Sequence, residues 1–186
     1  MSLIEKEVAD FQVNAYKDNS FCVVSRQDIL GKWSAFFVDP ADFTFVCPTE
    51  LEDLQKNYAE FRAIGCEIYA VSTDTHFVHK AWHDTSARIK TLEYPMLADP
   101  THCLCRDFQV LTKDGLAERG TFIVNPEGKI AAYEVTSGSV GRNAQELLRR
   151  VQACQFVHEH GDQVCPANWK PGEQTLRPTL ELVGQL

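Results

Sequence analysis

Cys47 lies between two segments whose patterns predict a buried strand and a helix, and this placement suits a thiolate. The apolar run Trp33–Val38 predicts the strand. Pro48 fits a first helical position, and apolar residues at helical spacing follow it: Leu51, Leu54, Tyr58, Phe61 and Ile64. We therefore expect Cys47 to be the helix N-cap, where free backbone N–H groups and the helix dipole lower the pKa of a thiol.

The other six cysteines are weaker candidates for chemistry. Five lie in patterns typical of small buried apolar residues, and the two on one short predicted helix lack a second ligand pair for a metal. These five are Cys22, Cys66, Cys103, Cys105 and Cys154. Cys165 differs because its segment, 164–169, is irregular. Its thiol is either mobile and reactive or an inert thiol of the tail.

No Cys-x-x-Cys pair accompanies Cys47, since Glu50 stands where the second cysteine would be. Any disulfide of Cys47 must therefore form with a distant cysteine. Oxidation of Cys47 to a sulfenic acid, followed by capture by a remote thiol, fits this pattern. Thr44, three residues before Cys47, could bring a hydroxyl to the same site.

Three histidines, His76, His79 and His83, recur at helical spacing and pose an alternative, a metal site. The pair His79 and His83 has the spacing found in zinc proteases but lacks the glutamate that acts as general base. Surface or interface histidines are the simpler interpretation. We expect no metal and no cofactor.

The composition limits the class of protein. The chain has 186 residues, a net charge of −8 and no cluster of lysine and arginine, so we expect neither nucleic acid nor membrane as a partner. Its first residues are charged from position 5 and lack the apolar core of a signal peptide. Seven cysteines, an odd number, argue against a permanent disulfide framework. We expect a cytoplasmic protein.

The remaining patterns predict an α/β protein. Strands are expected at 66–71 and 94–98, helices at 75–89 and 101–108, a hairpin of strands 120–124 and 129–135, and a last helix after Asn143 that runs to 156. This order is that of a thioredoxin-like fold with additions. We assign 1–160 to this domain and 161–186, which has weak periodicity, to an extended C-terminal arm.

One stretch resembles a known signature closely. The segment Pro40-x-x-x-Thr44-x-x-Cys47, within Phe-Thr-Phe-Val-Cys-Pro-Thr-Glu, is similar to the active-site motif of typical 2-Cys peroxiredoxins. Further similar segments, at 71–82, 119–122, 140–142 and 164–169, extend the resemblance over nearly the whole chain, and it is greatest to the bacterial alkyl hydroperoxide reductase C branch. The resemblance implies the peroxiredoxin variant of the thioredoxin fold and a thiol-dependent peroxidase that reduces hydrogen peroxide and alkyl hydroperoxides.

The resemblance also implies roles for individual residues. Cys47 would be the cysteine that reacts with the peroxide, and Pro40 would shield it. Thr44 and Arg119 would hydrogen-bond the peroxide and the thiolate.

Three further residues complete the implied site. Glu50 and Arg142 would orient Arg119, and Cys165 would be the resolving cysteine, supplied by the partner subunit. One departure is Asp39, which stands where relatives commonly carry an aromatic residue.

The family further implies an assembly and an electron donor. A homodimer joined edge to edge through its sheets, and a ring of five dimers (a decamer), are expected. The donor would be a flavoprotein disulfide reductase using NADH, or thioredoxin. Two alternatives remain from the residues alone, a thiol-disulfide oxidoreductase acting on proteins and a ring-forming holdase chaperone.

Overall fold

A seven-stranded mixed sheet carries the fold in the computed structural model, which describes residues 2–185. Its strands are, in chain order, β1 (Gln12–Lys17), β2 (Ser20–Ser25), β3 (Trp33–Val38), β4 (Cys66–Ser72), β5 (Met96–Ala98), β6 (Arg119–Val124) and β7 (Ile130–Thr136). They lie side by side in the order β2-β1-β5-β4-β3-β6-β7. β4 is the central strand and runs parallel to both of its neighbours, β3 and β5.

All six side chains of β3 are buried, as its continuous apolar sequence predicts. β3 pairs with β4 on one side and, in antiparallel register, with β6 on the other, where Val38 lies opposite Gly120. Aromatic rings pack the core beside β3: Phe108 stacks on Phe122 with ring centroids 4.3 Å apart. The carboxyl end of β3 is thereby fixed at the centre of the sheet.

Four helices complete the elements, and they begin and end close to the expected positions. They are α1 (Cys47–Ala63), α2 (His76–Thr85), α3 (Cys103–Asp107) and α4 (Ala144–Glu159). α2 is shorter than its apolar pattern predicts because Ser86 leaves helical geometry, and a separate turn of 3-10 helix follows at Ile89–Thr91. Thr75 caps α2, and its side chain accepts a bond from the Val78 N–H.

The hairpin of β1 and β2 was not expected from the sequence. The two strands meet at Asp18 and Asn19, which both adopt positive φ angles, 49° and 57°. Such angles at both central residues are those of a type I′ turn, which suits the twist of a hairpin. Tyr16 and Phe21 form a cross-strand aromatic pair beside this turn, with ring centroids 6.1 Å apart.

The described residues form two compact units, which are divided after Ala144. The first contains the sheet and α1 to α3. The second contains α4 from Gln145 onward and the C-terminal segment, where Val164 and Leu176 form an isolated bridge and Leu180–Leu182 a short 3-10 turn. This division lies earlier than the boundary that we predicted after residue 160.

Across residues 2–185, the longest helices are too short or too polar to traverse a lipid bilayer.

Candidate active site

Cys47 is the first residue of α1 and follows the loop 39–46 from the carboxyl end of β3. The N-cap is Val46, whose dihedral angles are already helical, and Pro48 follows as the second residue. Our prediction that Cys47 is the N-cap is therefore wrong by one residue. The sulfur is held by side chains instead of capping the helix.

The Cys47 sulfur is fully buried, with 0% exposure, and two donors lie against it. Thr44 Oγ1 is 2.9 Å from Sγ, and Arg119 Nη1 is 3.1 Å from it. The Thr44 hydroxyl lies equally close to the Ala41 carbonyl oxygen, at 2.9 Å, yet it has a single hydrogen to give. It can donate to the carbonyl while Cys47 is a thiol, and to the sulfur once Cys47 is a thiolate.

Arg119, the first residue of β6, is aligned by three acceptors. Besides the sulfur, Nη1 donates to Glu50 Oε2 at 2.7 Å, and Nε donates to the Gly138 carbonyl at 2.8 Å. The neighbouring Gly120 leaves no room for a side chain, because a Cβ there would lie 2.7 Å from a ring carbon of Phe122. The guanidinium is held in front of Cys47 by its bonds to Glu50 and to the Gly138 carbonyl.

Arg142 holds Glu50 in place. Its backbone N–H and Nε donate to Glu50 Oε1 at 2.7 and 2.9 Å, and Nη2 lies 3.2 Å from Oε2. Nη2 also donates to Asp39 Oδ1 at 2.8 Å, and the guanidinium carbon lies 3.3 Å from the centre of the Phe37 ring. Glu50 thus links the two arginines.

The pKa of the Cys47 thiol is raised, not lowered as the sequence suggested. Burial is the largest cause, and the negative charge of Asp39 adds to it, while hydrogen bonds from Thr44 and Arg119 lower the pKa without offsetting the burial. The reason for the error is position, because a sulfur one residue inside the helix and sealed from water is desolvated. Thr44 and Arg119 therefore stabilise the thiolate chiefly once it has formed.

The two carboxyl groups beside Cys47 differ in their ionisation. Burial alone would raise the pKa of Glu50, but the hydrogen bonds and charge of Arg142 outweigh it and hold that pKa below its usual value. For Asp39 burial prevails over Arg142 and raises the pKa to about 8. Glu50 is thus a permanent anion of the site, whereas the pKa of Asp39 lies close enough to neutral pH for this carboxyl group to gain or lose a proton there.

The loop before Cys47 is fastened by a buried network. Asp42 Oδ2 lies 2.6 Å from His79 Nδ1, and Ser72 Oγ bonds Asp42 Oδ1 at 3.1 Å. His79 Nε2 lies 3.0 Å from the Leu97 carbonyl. Both histidine nitrogens thus face acceptors, so the ring is held as an imidazolium and the pKa of His79 is raised even though burial alone would lower it.

The residue that follows Asp42 in this loop has a strained backbone. Phe43, directly after Asp42, has a φ of 58°, an unfavourable angle for a bulky side chain, and its ring lies 5.8 Å from that of Trp82. The strain lies between the anchored Asp42 and the donor Thr44, so the network helps to aim Thr44 at the sulfur. Pro40, which is half-buried, begins the same loop.

The histidines of α2 do not come together as a metal site. His79 is engaged with Asp42, His76 packs against the rings of Phe21 and Phe77, and His83 packs against Tyr16. Within residues 2–185, the potential ligands that do gather are Asp39, Cys47 and Glu50, with atoms within 4.8 Å of one another. Guanidinium groups already bind all three, so arginine supplies the positive charge there.

Cys165 lies in the second unit, beside α4. Its sulfur is half-buried and 3.9 Å from the Ala153 carbonyl oxygen. The segment is fastened by Trp169, whose Nε1 donates to Glu173 at 3.1 Å and whose carbonyl accepts a bond from Arg149 at 3.2 Å. Burial raises the pKa of Cys165. All seven cysteines are free thiols.

The sequence did not reveal the contacts of Asp39, Asp42 and His79. Asp39 carried a usable signal, because an acidic residue directly after six buried strand residues needs a cation nearby. No local pattern joined Asp42 to His79, which are 37 positions apart.

Comparison with known proteins gives consistent matches. The AhpC/TSA family profile matches residues 4–133, and a profile described as the C-terminal domain of 1-Cys peroxiredoxin matches residues 153–185. Alkyl hydroperoxide reductase C of Bacillus subtilis (strain 168) is 50% identical over 187 residues, with both chains fully covered.

Solved structures agree with the fold. The crystal structure of Enterococcus faecalis AhpC, 54% identical, superposes with a TM-score of 0.87 over 89% of this chain and 100% of that one. Reduced Plasmodium vivax 2-Cys peroxiredoxin, 31% identical, gives a TM-score of 0.93 over 97% and 96% of the two chains. The predicted thioredoxin-like fold of the peroxiredoxin type is confirmed.

Proposed function

The chain belongs to the AhpC/TSA family and is a thiol-dependent peroxidase, and from this premise we propose that Cys47 is the thiol that reduces the peroxide. One observation carries the proposal: Thr44 Oγ1 and Arg119 Nη1 lie 2.9 and 3.1 Å from a sulfur that is otherwise sealed from water. Donors placed in this way can stabilise the charge that moves from sulfur to oxygen as the O–O bond breaks.

The reaction forms one bond and breaks one. The Cys47 thiolate attacks one oxygen of the hydroperoxide, an S–O bond forms, and the O–O bond breaks. Cys47 becomes a sulfenic acid, and the leaving oxygen takes up the proton that the Cys47 thiol had released, so that it departs as an alcohol or, from hydrogen peroxide, as water. Pro40 limits access of water to the sulfur, while Glu50 and Arg142 keep Arg119 in its orientation.

Cys165 of the partner subunit is the resolving cysteine in this scheme. It condenses with the sulfenic acid to a disulfide and releases water. Disulfide geometry needs Cα atoms within about 7 Å, and the Cys47 sulfur is fully buried, so the first turn of α1 must unwind in each cycle. The segment around Cys165 must release its own contacts and move as well.

Intact mass spectrometry of Cys165→Ser after one equivalent of peroxide tests this assignment. We expect a stable product with one added oxygen atom, mapped to Cys47. Because Cys165 is absent, no disulfide should form between subunits. Oxidation at another cysteine, with Cys47 unchanged, would overturn the assignment.

A homodimer joined through β7, and a ring of five dimers, fit the exposed surface. β7 is an edge strand, and it exposes Tyr133 and Val135. Three exposed phenylalanines, Phe43, Phe45 and Phe77, offer a second apolar area. Sedimentation velocity of the reduced protein tests this assembly, and a monomer at micromolar concentration would contradict it.

The electron donor, on this proposal, is a flavoprotein disulfide reductase using NADH, or thioredoxin, and the setting is the cytoplasm, because an odd number of cysteines, seven, suits a reducing compartment. Peroxide-dependent NADH oxidation with each purified donor distinguishes the two. A thiol-disulfide oxidoreductase remains the alternative function, but the chain has no Cys-x-x-Cys at Cys47. A ring-forming holdase activity would be additional and would survive in Cys47→Ser.

A further inference from the structure

Five ionisable side chains are buried together around the reactive sulfur. They are Asp39, Cys47, Glu50, Arg119 and Arg142. Fully ionised, they carry three negative charges and two positive charges, and thus a net charge of −1. A single proton on one acid makes the cluster neutral, and a buried cluster strongly favours neutrality. The question is which group carries that proton when Cys47 is a thiolate.

Glu50 is not that group. Its two oxygens receive four N–H contacts, one from Arg119 at 2.7 Å and three from Arg142 at 2.7 to 3.2 Å. Protonation of Glu50 would weaken these hydrogen bonds, because an ionised carboxylate is the stronger acceptor. Glu50 therefore keeps its negative charge throughout the cycle.

Asp39 is held less tightly. Arg142 Nη2 donates to Oδ1 at 2.8 Å, but Arg119 Nη1 approaches only to 3.6 Å, beyond hydrogen-bond range. The acidic groups that act on Asp39 disfavour its charge: Glu50 and Asp42 as neighbouring anions, and Cys47 once it is a thiolate. Burial and these neighbours raise the pKa of Asp39 to about 8.

We propose that Asp39 takes up the proton that Cys47 loses and holds it until the peroxide bond breaks. The proposal rests on Cys47 being the thiol that reacts with the peroxide. The Asp39 carboxylate oxygen and the Cys47 sulfur lie within 4.8 Å of each other, a gap that a peroxide oxygen or one water molecule can bridge.

The steps balance without another reactant. The S–H bond of Cys47 breaks and an O–H bond forms on Asp39, so the charge of the cluster does not change. The sulfur electron pair then forms the S–O bond as the O–O bond breaks. The leaving alkoxide or hydroxide takes the proton from Asp39, which returns to a carboxylate beside a neutral sulfenic acid.

Two pH signatures distinguish this role from a structural one. In a Cys165→Ser background, the Cys47 thiolate should form in two coupled steps as the pH rises. Ultraviolet absorbance, measured against a matched Cys47→Ser protein, follows this titration. The rate of peroxide consumption in stopped-flow should pass through a maximum. It should then fall about tenfold per pH unit on the alkaline side as Asp39 loses its proton.

Asp39→Asn removes the titrating group but keeps the shape. We expect a single thiolate step, completed at lower pH, and a rate that stays level on the alkaline side. Asp114→Asn, in an exposed turn, is the matched control and should behave as the unsubstituted protein. If Asp39→Asn keeps both the two-step titration and the alkaline fall, the proposal is wrong.

An infrared measurement covers the case in which Asp39→Asn does not fold. At a pH where Cys47 is a thiolate, the unsubstituted protein should show the C=O stretch of a buried protonated carboxyl group. Cys47→Ser should lack this band, because without the thiolate the two arginines balance Asp39 and Glu50. The band's absence from the unsubstituted protein would overturn the proposal.

These outcomes separate the two proposals. If peroxide does not oxidise Cys47 in the protein with Asp39 intact, the proposed function fails. If Cys47 is oxidised but neither pH signature nor the carboxyl band appears, only the role of Asp39 fails.

Discussion

The two cysteines assigned to the cycle lie in opposite kinds of surroundings. Cys47 is fully buried, and Thr44 and Arg119 contact its sulfur within 3.1 Å. Cys165 is half-buried in a segment without regular helix or strand, 3.9 Å from a backbone carbonyl. Each sulfur has a raised pKa because of burial, so acidity does not distinguish them.

The difference lies in what holds each sulfur. A reaction that moves charge across an O–O bond needs donors that are already in place, and the arginine cluster supplies them. A thiol that must travel to a sulfenic acid needs a segment with few fixed contacts. On the proposed function, the chain therefore combines a peroxide site whose donors are fixed with a resolving thiol whose sulfur has only a weak contact, 3.9 Å from a carbonyl oxygen.

Arg119→Ala should have the largest effect, and this effect should be confined to the reaction of peroxide at Cys47. Loss of one preorganised donor costs about 10²- to 10³-fold in rate. We expect that loss in the peroxide step, measured by stopped-flow in the Cys165→Ser background. Arg106→Ala, which removes an exposed arginine, is the control. A loss below about threefold would show that Arg119 does not act on the transition state.

Thr44→Val should reduce the same step by about 10- to 100-fold, since a hydrogen bond to a charged group contributes about 1.5 to 3 kcal/mol. Thr44→Ser keeps the hydroxyl and should restore most of the rate. Equal rates in the valine and serine variants would mean that the hydroxyl is not a donor in the reaction.

Trp169→Ala should act only on the Cys165 side. The ring packs 4.9 Å from Phe156, and its N–H bonds Glu173. Its removal should speed hydrogen exchange in residues 161–176 by about tenfold or more, because a buried ring and a hydrogen bond are lost. The peroxide step should not change. Trp169→Phe, which keeps a ring, should lie in between; slower peroxide reduction would contradict the separation of the two regions.

His79→Gln should have the smallest effect on rate and a pH-dependent effect on stability. The folded pKa of His79 is raised above 6.5, so its stabilising contribution is complete below pH 6.5 and is lost as the pH rises through the folded pKa. We expect a loss of about 2 kcal/mol in the free energy of unfolding at pH 6 and a smaller loss at pH 9. Urea unfolding at both values checks this, and an equal loss at both would refute the imidazolium assignment.

Local patterns predicted much of the fold. The sequence from β3 through α1 to β4 followed from two apolar runs and one helical stripe, and β6 and β7 from the turn chemistry at Asn125-Pro-Glu-Gly128. The first hairpin was missed although Val13 and Ala15 alternate with polar residues before Asp18-Asn19, a pair able to adopt the positive φ angles of the turn. The motif around Cys47 pointed to candidate site residues through a family resemblance, and their roles stay predictions.

The energetics of the site could not be predicted from the sequence. Whether Cys47 is acidic depends on its burial and on Asp39, Arg119 and Arg142, which are brought together across 103 positions by the sheet. A difference of one residue in the start of α1 removed the expected N-cap. Such quantities depend on long-range packing, which no local pattern encodes.

Arg119→Lys gives the most direct test of the claim that donor geometry, not thiolate acidity, gives Cys47 its reactivity. Lysine keeps the positive charge but loses the planar guanidinium, whose Nε bond to the Gly138 carbonyl fixes the Nη1 that contacts both the sulfur and Glu50. The peroxide rate and the Cys47 titration are measured on the same protein in the Cys165→Ser background. We expect the rate to fall at least about tenfold while the thiolate fraction changes less than about twofold. A rate that falls only in proportion to the thiolate fraction would contradict the account.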